Sequence, residues 1–258
     1  HLGVSVEAVS RIITTHCHCD HIGGHRAVYD RSGCAIWLHE LGRHFIESRD
    51  GWSTWWTYYN QQAEFFPCTA GLQDGDQVRI GPHAFEVMHT PGHASDGIVL
   101  YHPKEKLLIS SDTLWEHDLP VHTVRVEGNA AVYQTKCSLE KISQLAVDTA
   151  CPGHGPLFTD FRTALQRSQK KIGEYLLNRR VVGTDVLKKI IVYTVLMKQP
   201  LSVEEFYEDL MAANWFKETV DFYFEGRYRA KYDEIIDSFL KRGVLKVEGK
   251  NYVTTVRP

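Results

Sequence analysis

The sequence contains no hydrophobic run long enough to cross a membrane. Its longest apolar run, Ile190 to Met197, has eight residues, whereas a helix that spans a bilayer needs about 20. The chain does not open with a charged and then apolar segment of the kind found in secretory leaders. We therefore expect a cytoplasmic protein without a membrane segment, and we assign residues 190–197 to a buried helix face.

Cysteine is also too sparse for a disulfide-bonded scaffold. The six cysteines are scattered along 258 residues without the dense spacing of such scaffolds. This spacing favours reduced thiols, and disulfide bonds remain the alternative. Apolar residues make up 43% of the chain and charged residues 24%, which is typical of a globular protein and excludes a disordered or fibrous one.

Charge is distributed unevenly along the chain. Residues 1–160 contain 11 Lys and Arg against 19 Asp and Glu, a net charge of −8, whereas residues 161–258 contain 18 against 13, a net charge of +5. This asymmetry predicts different roles for the two parts. The basic excess would suit contact with phosphates, although a solvated surface is its usual explanation.

Short apolar runs separated by turn residues dominate the first part and predict strands. The predicted strands cover 11–15, 34–39, 77–80, 84–88, 98–102 and 107–110, and the predicted helices cover about 23–31, 40–63 and 137–147. This alternation predicts a mixed α/β domain. We place that domain at residues 1–183.

Residues 184–258 show a different pattern. Three helical patterns precede the sequence VLKVEGKNYVTTV, which predicts a hairpin that turns at Glu248 and Gly249. Three helices followed by a hairpin is the order of a winged helix, so we predict a small, mostly helical winged-helix-like domain. Packing or dimerisation is the role that we favour for it over nucleic-acid binding.

The stretch HCHCDHIGGH at residues 16–25 concentrates side chains that bind metals. In an extended chain His16 and His18 lie on one side and the two cysteines on the other, so the two imidazoles converge. Asp20 and His21 follow directly. This crowding of nitrogen and oxygen donors suits a borderline-soft divalent ion, whereas a thiolate or redox role for the cysteines would need the opposite orientation.

The same chemistry recurs after three later predicted strands. His93 follows in HTPGH, Asp112 in SSDTLW and His154 in CPGHG. Each lies just beyond the C-terminal end of a strand, and the glycine before each histidine permits close backbone approach. Five histidines and two aspartates would suffice for two metal ions that share one carboxylate, which predicts a hydrolase.

These motifs resemble those of the metallo-β-lactamase superfamily, and of its glyoxalase II-like branch. The signature HxHxDH is matched at residues 16–21, and the later motifs follow in family order, with Ser111 where the family's GD motif has glycine. The resemblance implies a four-layer αββα sandwich with the site at one edge of two sheets. The strands that usually precede HxHxDH are missing from this sequence, so we expect a longer native chain.

The resemblance also implies two sets of three ligands and one bridging carboxylate. These are His16, His18 and His93 for one ion, Asp20, His21 and His154 for the other, and Asp112 between them.

Two Zn²⁺ ions are the cofactors that we expect, with iron or manganese as alternatives. Coordination to Zn²⁺ lowers the pKa of water from 15.7 to about 7, so a hydroxide that bridges the ions would attack the substrate. We expect Asp20 to act as the catalytic residue that orients this hydroxide and receives or passes its proton.

The first function that we expect is hydrolysis of a small ester, thioester or lactone. The aromatic segment DGWSTWWTYYNQQAEFFPC, residues 50–68, is either a lid over an apolar substrate pocket or an ordinary packing or dimer surface. The alternatives are a metal-dependent ribonuclease and a non-enzymatic DNA-binding regulator that uses the winged-helix-like domain. A small-molecule substrate and a homodimer are therefore the expected partners, ahead of nucleic acid.

Overall fold

The computed structural model describes residues 3–256 and divides the chain into two units. The first unit ends at Gly173 and the second begins at Glu174. Within residues 3–256, no helix is both long and apolar enough to span a membrane. No disulfide bond links any of the six cysteines.

The first unit opens with a parallel sheet of three strands. Its order is β1-β2-β3, and short helices connect the strands, as parallel pairing requires. The elements are a 3₁₀ turn at Val6–Ala8, β1 (Arg11–Ile13), α1 (Cys19–Ile22), α2 (His25–Ser32), β2 (Ala35–His39), α3 (Glu40–Glu47) and β3 (Ala70–Leu72).

A second sheet of five strands follows in chain order. Neighbouring strands are antiparallel except for the last pair, which is parallel because two helices intervene. The elements are β4 (Gln77–Ile80), β5 (His83–His89), β6 (Ile98–His102), β7 (Leu107–Ser111), α4 (Val124–Glu127), α5 (Ala131–Ile142) and β8 (Thr149–Pro152), followed by α6 (Phe161–Leu177).

The two sheets pack face to face, and alternation along β2 shows how. Ile36 and Leu38 point to one side, where they cluster with Ile22 of α1. Trp37 points to the other side and packs against a cluster that includes Val87 of the second sheet. Every residue of β6 is buried, so the second sheet is covered on both faces.

The predicted helix at 40–63 is wrong beyond its first eight residues. The helix α3 ends at Glu47, and Arg49 has a φ of 57°, which right-handed helix does not allow. The carboxylate of Asp50 then accepts the backbone N–H groups of Trp52 and Ser53 and closes a turn. The aromatic periodicity of this segment therefore reflects burial in an irregular chain. The helix predicted at 137–147 also lies earlier, at 131–142.

The second unit consists of helices and one small antiparallel sheet of order β10-β11-β9. The hairpin turns at Gly249, whose φ is 64°, as the sequence predicted. The predicted domain boundary at 183/184 falls inside α7, a continuous helix that belongs wholly to this unit. The elements are α7 (Arg179–Lys198), β9 (Leu201–Ser202), α8 (Phe206–Ala212), α9 (Asn214–Phe224), α10 (Tyr228–Lys241), β10 (Leu245–Glu248) and β11 (Asn251–Thr254).

Two glycines inside helices provide a matched test of this packing. A Cβ at Gly183 would lie 2.4 Å from Cγ of the buried Tyr223, whereas a Cβ at Gly173 would meet nothing within 4 Å. Gly183→Ala should lower the free energy of unfolding by about 1–3 kcal/mol through overpacking. Gly173→Ala should raise it by about 0.5–1 kcal/mol, because alanine favours the helix. Thermal unfolding of both variants checks the pair, and shifts of the same sign would contradict the packing described here.

Candidate metal centre

The first loop of the site begins where β1 ends. The chain stays extended as far as His18, which precedes α1 with a φ of −77° and a ψ of 151°. The rings of His16 and His18 lie 4.5 Å apart, and both are buried. Cys17 points the other way, into the apolar cluster, where burial raises the pKa of its thiol well above the usual range. This loop therefore presents imidazoles, and no thiolate, to the site.

Three further loops bring the remaining predicted ligands to the same edge. His93 follows β5, Asp112 follows β7 directly and His154 follows β8. All seven residues predicted from the sequence come together here. Their donor atoms form three groups, each within 4.8 Å: His16, His18 and His93; His16, His21 and Asp112; and Asp20, His21 and His154.

The carboxylate of Asp112 lies at the centre of this arrangement. Its Oδ2 atom is 3.5 Å from Nε2 of His21, 3.4 Å from that of His93 and 3.6 Å from that of His154. Its Oδ1 atom accepts the indole N–H of Trp115 at 3.1 Å. Burial alone would raise the pKa of Asp112, but the close approach of the His21 and His93 imidazoles lowers it to about 2. The central group is therefore an anion.

Asp20 and His154 form the most exposed side of the site. Oδ2 of Asp20 lies 3.1 Å from Nε2 of His154, and the side chains are 34% and 44% exposed. Burial works to raise the pKa of Asp20, but the hydrogen bond with His154 outweighs it and the pKa is lowered. A carboxylate that stays ionised at an open edge is accessible to water and substrate.

The donor set fits a divalent metal ion. The Nε2 atoms of His16, His18, His21 and His93 are buried and have no hydrogen-bond partner in the protein. Nδ1 of His93 bonds the carbonyl of Val121 at 2.6 Å, which leaves Nε2 as the coordinating atom. Nitrogen and carboxylate donors of this kind suit zinc or iron.

Gly92 and Gly153, which precede His93 and His154, lie where a larger residue would clash with its neighbours. A Cβ at Gly153 would lie 2.0 Å from Oδ1 of Asp112, and a Cβ at Gly92 would lie 2.0 Å from Oγ1 of Thr135. Gly92 also has a φ of 143°, which other residues rarely adopt. The close backbone approach predicted from TPGH and CPGH is therefore present in both loops.

Residues 1–154 match the metallo-beta-lactamase superfamily, and this part of the chain supplies all seven candidate ligands. The chain belongs to this superfamily. Among curated relatives, it is 36% identical over 104 residues to the hydroxyacylglutathione hydrolase of Hydrogenovibrio crunogenus, and 27% identical over 166 residues to that of Jannaschia sp.. These matches cover 40% and 64% of this chain but only 31% and 55% of the relatives.

Solved structures of the superfamily show the same fold. A metallo-beta-lactamase family protein of Thermus thermophilus aligns with 98% of this chain and 82% of its own, with a TM-score of 0.57 and 18% identity. The B3 metallo-beta-lactamase BLEG-1 aligns with 62% of this chain and 74% of its own, with a TM-score of 0.50 and 28% identity. The fold is therefore an α/β metallo-beta-lactamase fold with a helical C-terminal region.

Two tryptophans contact the candidate ligands in ways that the sequence did not indicate. Trp55 lies with its ring 3.9 Å from that of His18, and its indole N–H donates to Glu127 at 2.6 Å. Trp55 is only 4% exposed, so it is a fixed wall of the site. Trp115 bonds Asp112 and also contacts the ring of His154. Glu127 lies 72 residues from Trp55, a separation at which no local motif would link the two.

Glu127 gives the fold a pH dependence that can be measured. Burial raises the pKa of its carboxyl from 4.5 to about 7. Between these values the folded state holds a proton that the unfolded chain has released, so this group's contribution to stability falls as the pH rises, by up to about 3 kcal/mol. Glu127→Gln keeps an acceptor for the Trp55 N–H but cannot ionise, so the variant does not lose this stability as the pH rises.

The stability of Glu127→Gln relative to wild type should therefore increase from pH 4.5 to about pH 7, as measured by urea unfolding. Glu140→Gln, at an exposed position on α5, is the control for loss of a surface charge. Parallel stability profiles of Glu127→Gln and wild type across this range would show that Glu127 is not protonated in the fold.

Proposed function

We propose that this superfamily member is a binuclear metal-dependent hydrolase that acts on a small thioester, ester or lactone. The observation that carries the proposal is the set of three donor groups that surround the buried carboxylate of Asp112. Its Oδ2 atom lies within 3.6 Å of His93 from one group and of His21 and His154 from another, so this carboxylate could be shared by two ions. His16, His18 and His93 would hold one ion, and Asp20, His21 and His154 the other.

When bound, two divalent ions would polarise the substrate carbonyl and lower the pKa of water. The residues of the chain contribute position and proton handling. Asp20 is ionised and open to solvent, so it can orient a water molecule and receive its proton. Nε2 of His154 lies 3.1 Å from Oδ2 of Asp20, so the two side chains face each other at the open side of the site. Trp55 and His18 pack together and close the side of the site that faces the core.

The substrate class is supported by the relatives and by the site wall. The curated relatives named above are hydrolases of hydroxyacylglutathione, in which the acyl group is carried on a thiol. The wall beside the first donor group is aromatic and uncharged at Trp55, which suits an uncharged acyl chain. We propose a small-molecule substrate for this reason, with a thioester as the first choice.

Two finer features of the fold belong to the same proposal. The two packed sheets, with helices against the outer face of the first, support a four-layer αββα sandwich. In the second unit, a short β9 pairs with β11 of the hairpin after three intervening helices, which supports the winged-helix-like interpretation.

Hydrolysis of acyl substrates by the zinc-loaded protein tests the proposal. We expect a zinc-loaded chain to hydrolyse an S-acyl glutathione thioester, and Asp20→Asn to lower kcat by about 10²–10⁴-fold, because general base catalysis contributes that much. Asp30→Asn, at an exposed position paired with Arg26 on α2, is the matched control and should keep full activity. Metal content is measured for each variant.

An ester, a lactone and a single-stranded RNA complete the substrate panel. Cleavage of RNA with no turnover of the acyl substrates would replace the proposal with the ribonuclease alternative. Full activity of Asp20→Asn at full metal content would remove the role assigned to Asp20.

A further inference from the structure

Ser111 has a backbone conformation that serine rarely adopts. Its φ is 45°, in the left-handed region that favours glycine, and β7 shifts its register at this point. Ser111 directly precedes the central Asp112 and is 4% exposed. Glycine would be relaxed here, so the serine side chain must contribute something that offsets the strain.

The Ser111 hydroxyl contacts Thr15, which lies in the loop after β1 of the first sheet. Its Oγ atom lies 2.7 Å from Oγ1 of Thr15, and the same Thr15 Oγ1 lies 3.3 Å from Nδ1 of His16. A continuous chain of hydrogen bonds thus joins the residue before Asp112 to the ring of His16. We propose that Ser111 is a positioning residue that acts through Thr15 to orient His16 toward the first metal ion.

The backbone around both hydroxyls is fixed independently. The carbonyl of Thr15 accepts the N–H of Ile98 at 2.9 Å, and the carbonyl of Ser111 accepts the N–H of Gly153 at 3.0 Å. Thr15 is thus held by the first residue of β6, and Ser111 by the loop that follows β8. The hydroxyl pair connects the ends of β1 and β7 at the edge where the ligands meet.

The direction of this chain decides which nitrogen of His16 is available. When Nδ1–H donates to Oγ1 of Thr15, the Thr15 hydroxyl is left to donate to Oγ of Ser111. Nε2 of His16 then has a free lone pair, and this is the atom that is buried without a partner in the protein. A hydrogen-bonded second nitrogen fixes the tautomer and orientation of a ligating imidazole.

The test is a Co²⁺ titration of the metal-free chain, followed by its visible spectrum, together with thermal unfolding without metal. The inference rests on the proposed function, so wild type is titrated first and should bind two equivalents. Thr15→Val and Ser111→Ala should weaken the binding of the Co²⁺ ion that His16 would hold by about 10–100-fold. Thr15→Ser keeps the hydroxyl and should restore binding.

Two further variants separate positioning from general stability. Thr14→Val is the matched control, because the neighbouring Thr14 bonds His25, which is outside the ligand set, and it should bind Co²⁺ as wild type does. Ser111→Gly removes both the strain and the hydroxyl. It should raise or preserve the unfolding temperature of the metal-free chain while it weakens Co²⁺ binding.

Wild-type affinity and spectrum in Ser111→Gly, or equal losses in Thr15→Ser and Thr15→Val, would overturn the positioning role and leave the proposed function standing. A wild-type chain that binds no Co²⁺ would overturn both.

Discussion

The site depends on a set of buried imidazole nitrogens that the protein itself does not satisfy. Four histidines direct Nε2 atoms into one space at the edge of the two sheets. A buried polar atom without a partner costs about 1–3 kcal/mol, so a fold that gathers four of them needs a compensating ligand. A pair of divalent cations shared by the Asp112 carboxylate would provide it. Gly92 and Gly153 leave room for the loops to approach one another. The hydrogen bonds at Nδ1 of His16 and His93, together with Ser111, orient the imidazoles toward this space.

The support around the ligands consists largely of buried acids and aromatic rings. Asp96 is 3% exposed and accepts the thiol and the backbone N–H of Cys17, which connects the His93 loop to the loop of His16 and His18. Burial raises the pKa of Asp96 to about 6. Gly42 of α3 leaves room for it, since a Cβ there would lie 2.4 Å from Oδ2 of Asp96. The loops that carry His16, His18 and His93 are thus held in place by a packed interior.

The sequence predicted that the seven candidate ligand side chains would converge, because each loop joins a strand to a motif with strong local chemistry. It failed over residues 48–63, where aromatic spacing imitates a helix but Asp50 closes a turn. Local patterns also gave no sign of Glu127 as the partner of Trp55, because that contact is set by tertiary packing. Ser111 stands in the sequence where the family's motif has glycine, but only the structure shows that its hydroxyl contacts Thr15.

The most direct test of the binuclear site is the metal content of the purified, folded chain, measured by inductively coupled plasma mass spectrometry after loading with Zn²⁺ and removal of excess ions. The geometry predicts about two equivalents per chain, because His16, His18 and His93 form one donor group, Asp20, His21 and His154 form another, and Asp112 lies close to both. A folded chain that retains no metal would contradict the account, because the buried histidines would then have no role as ligands.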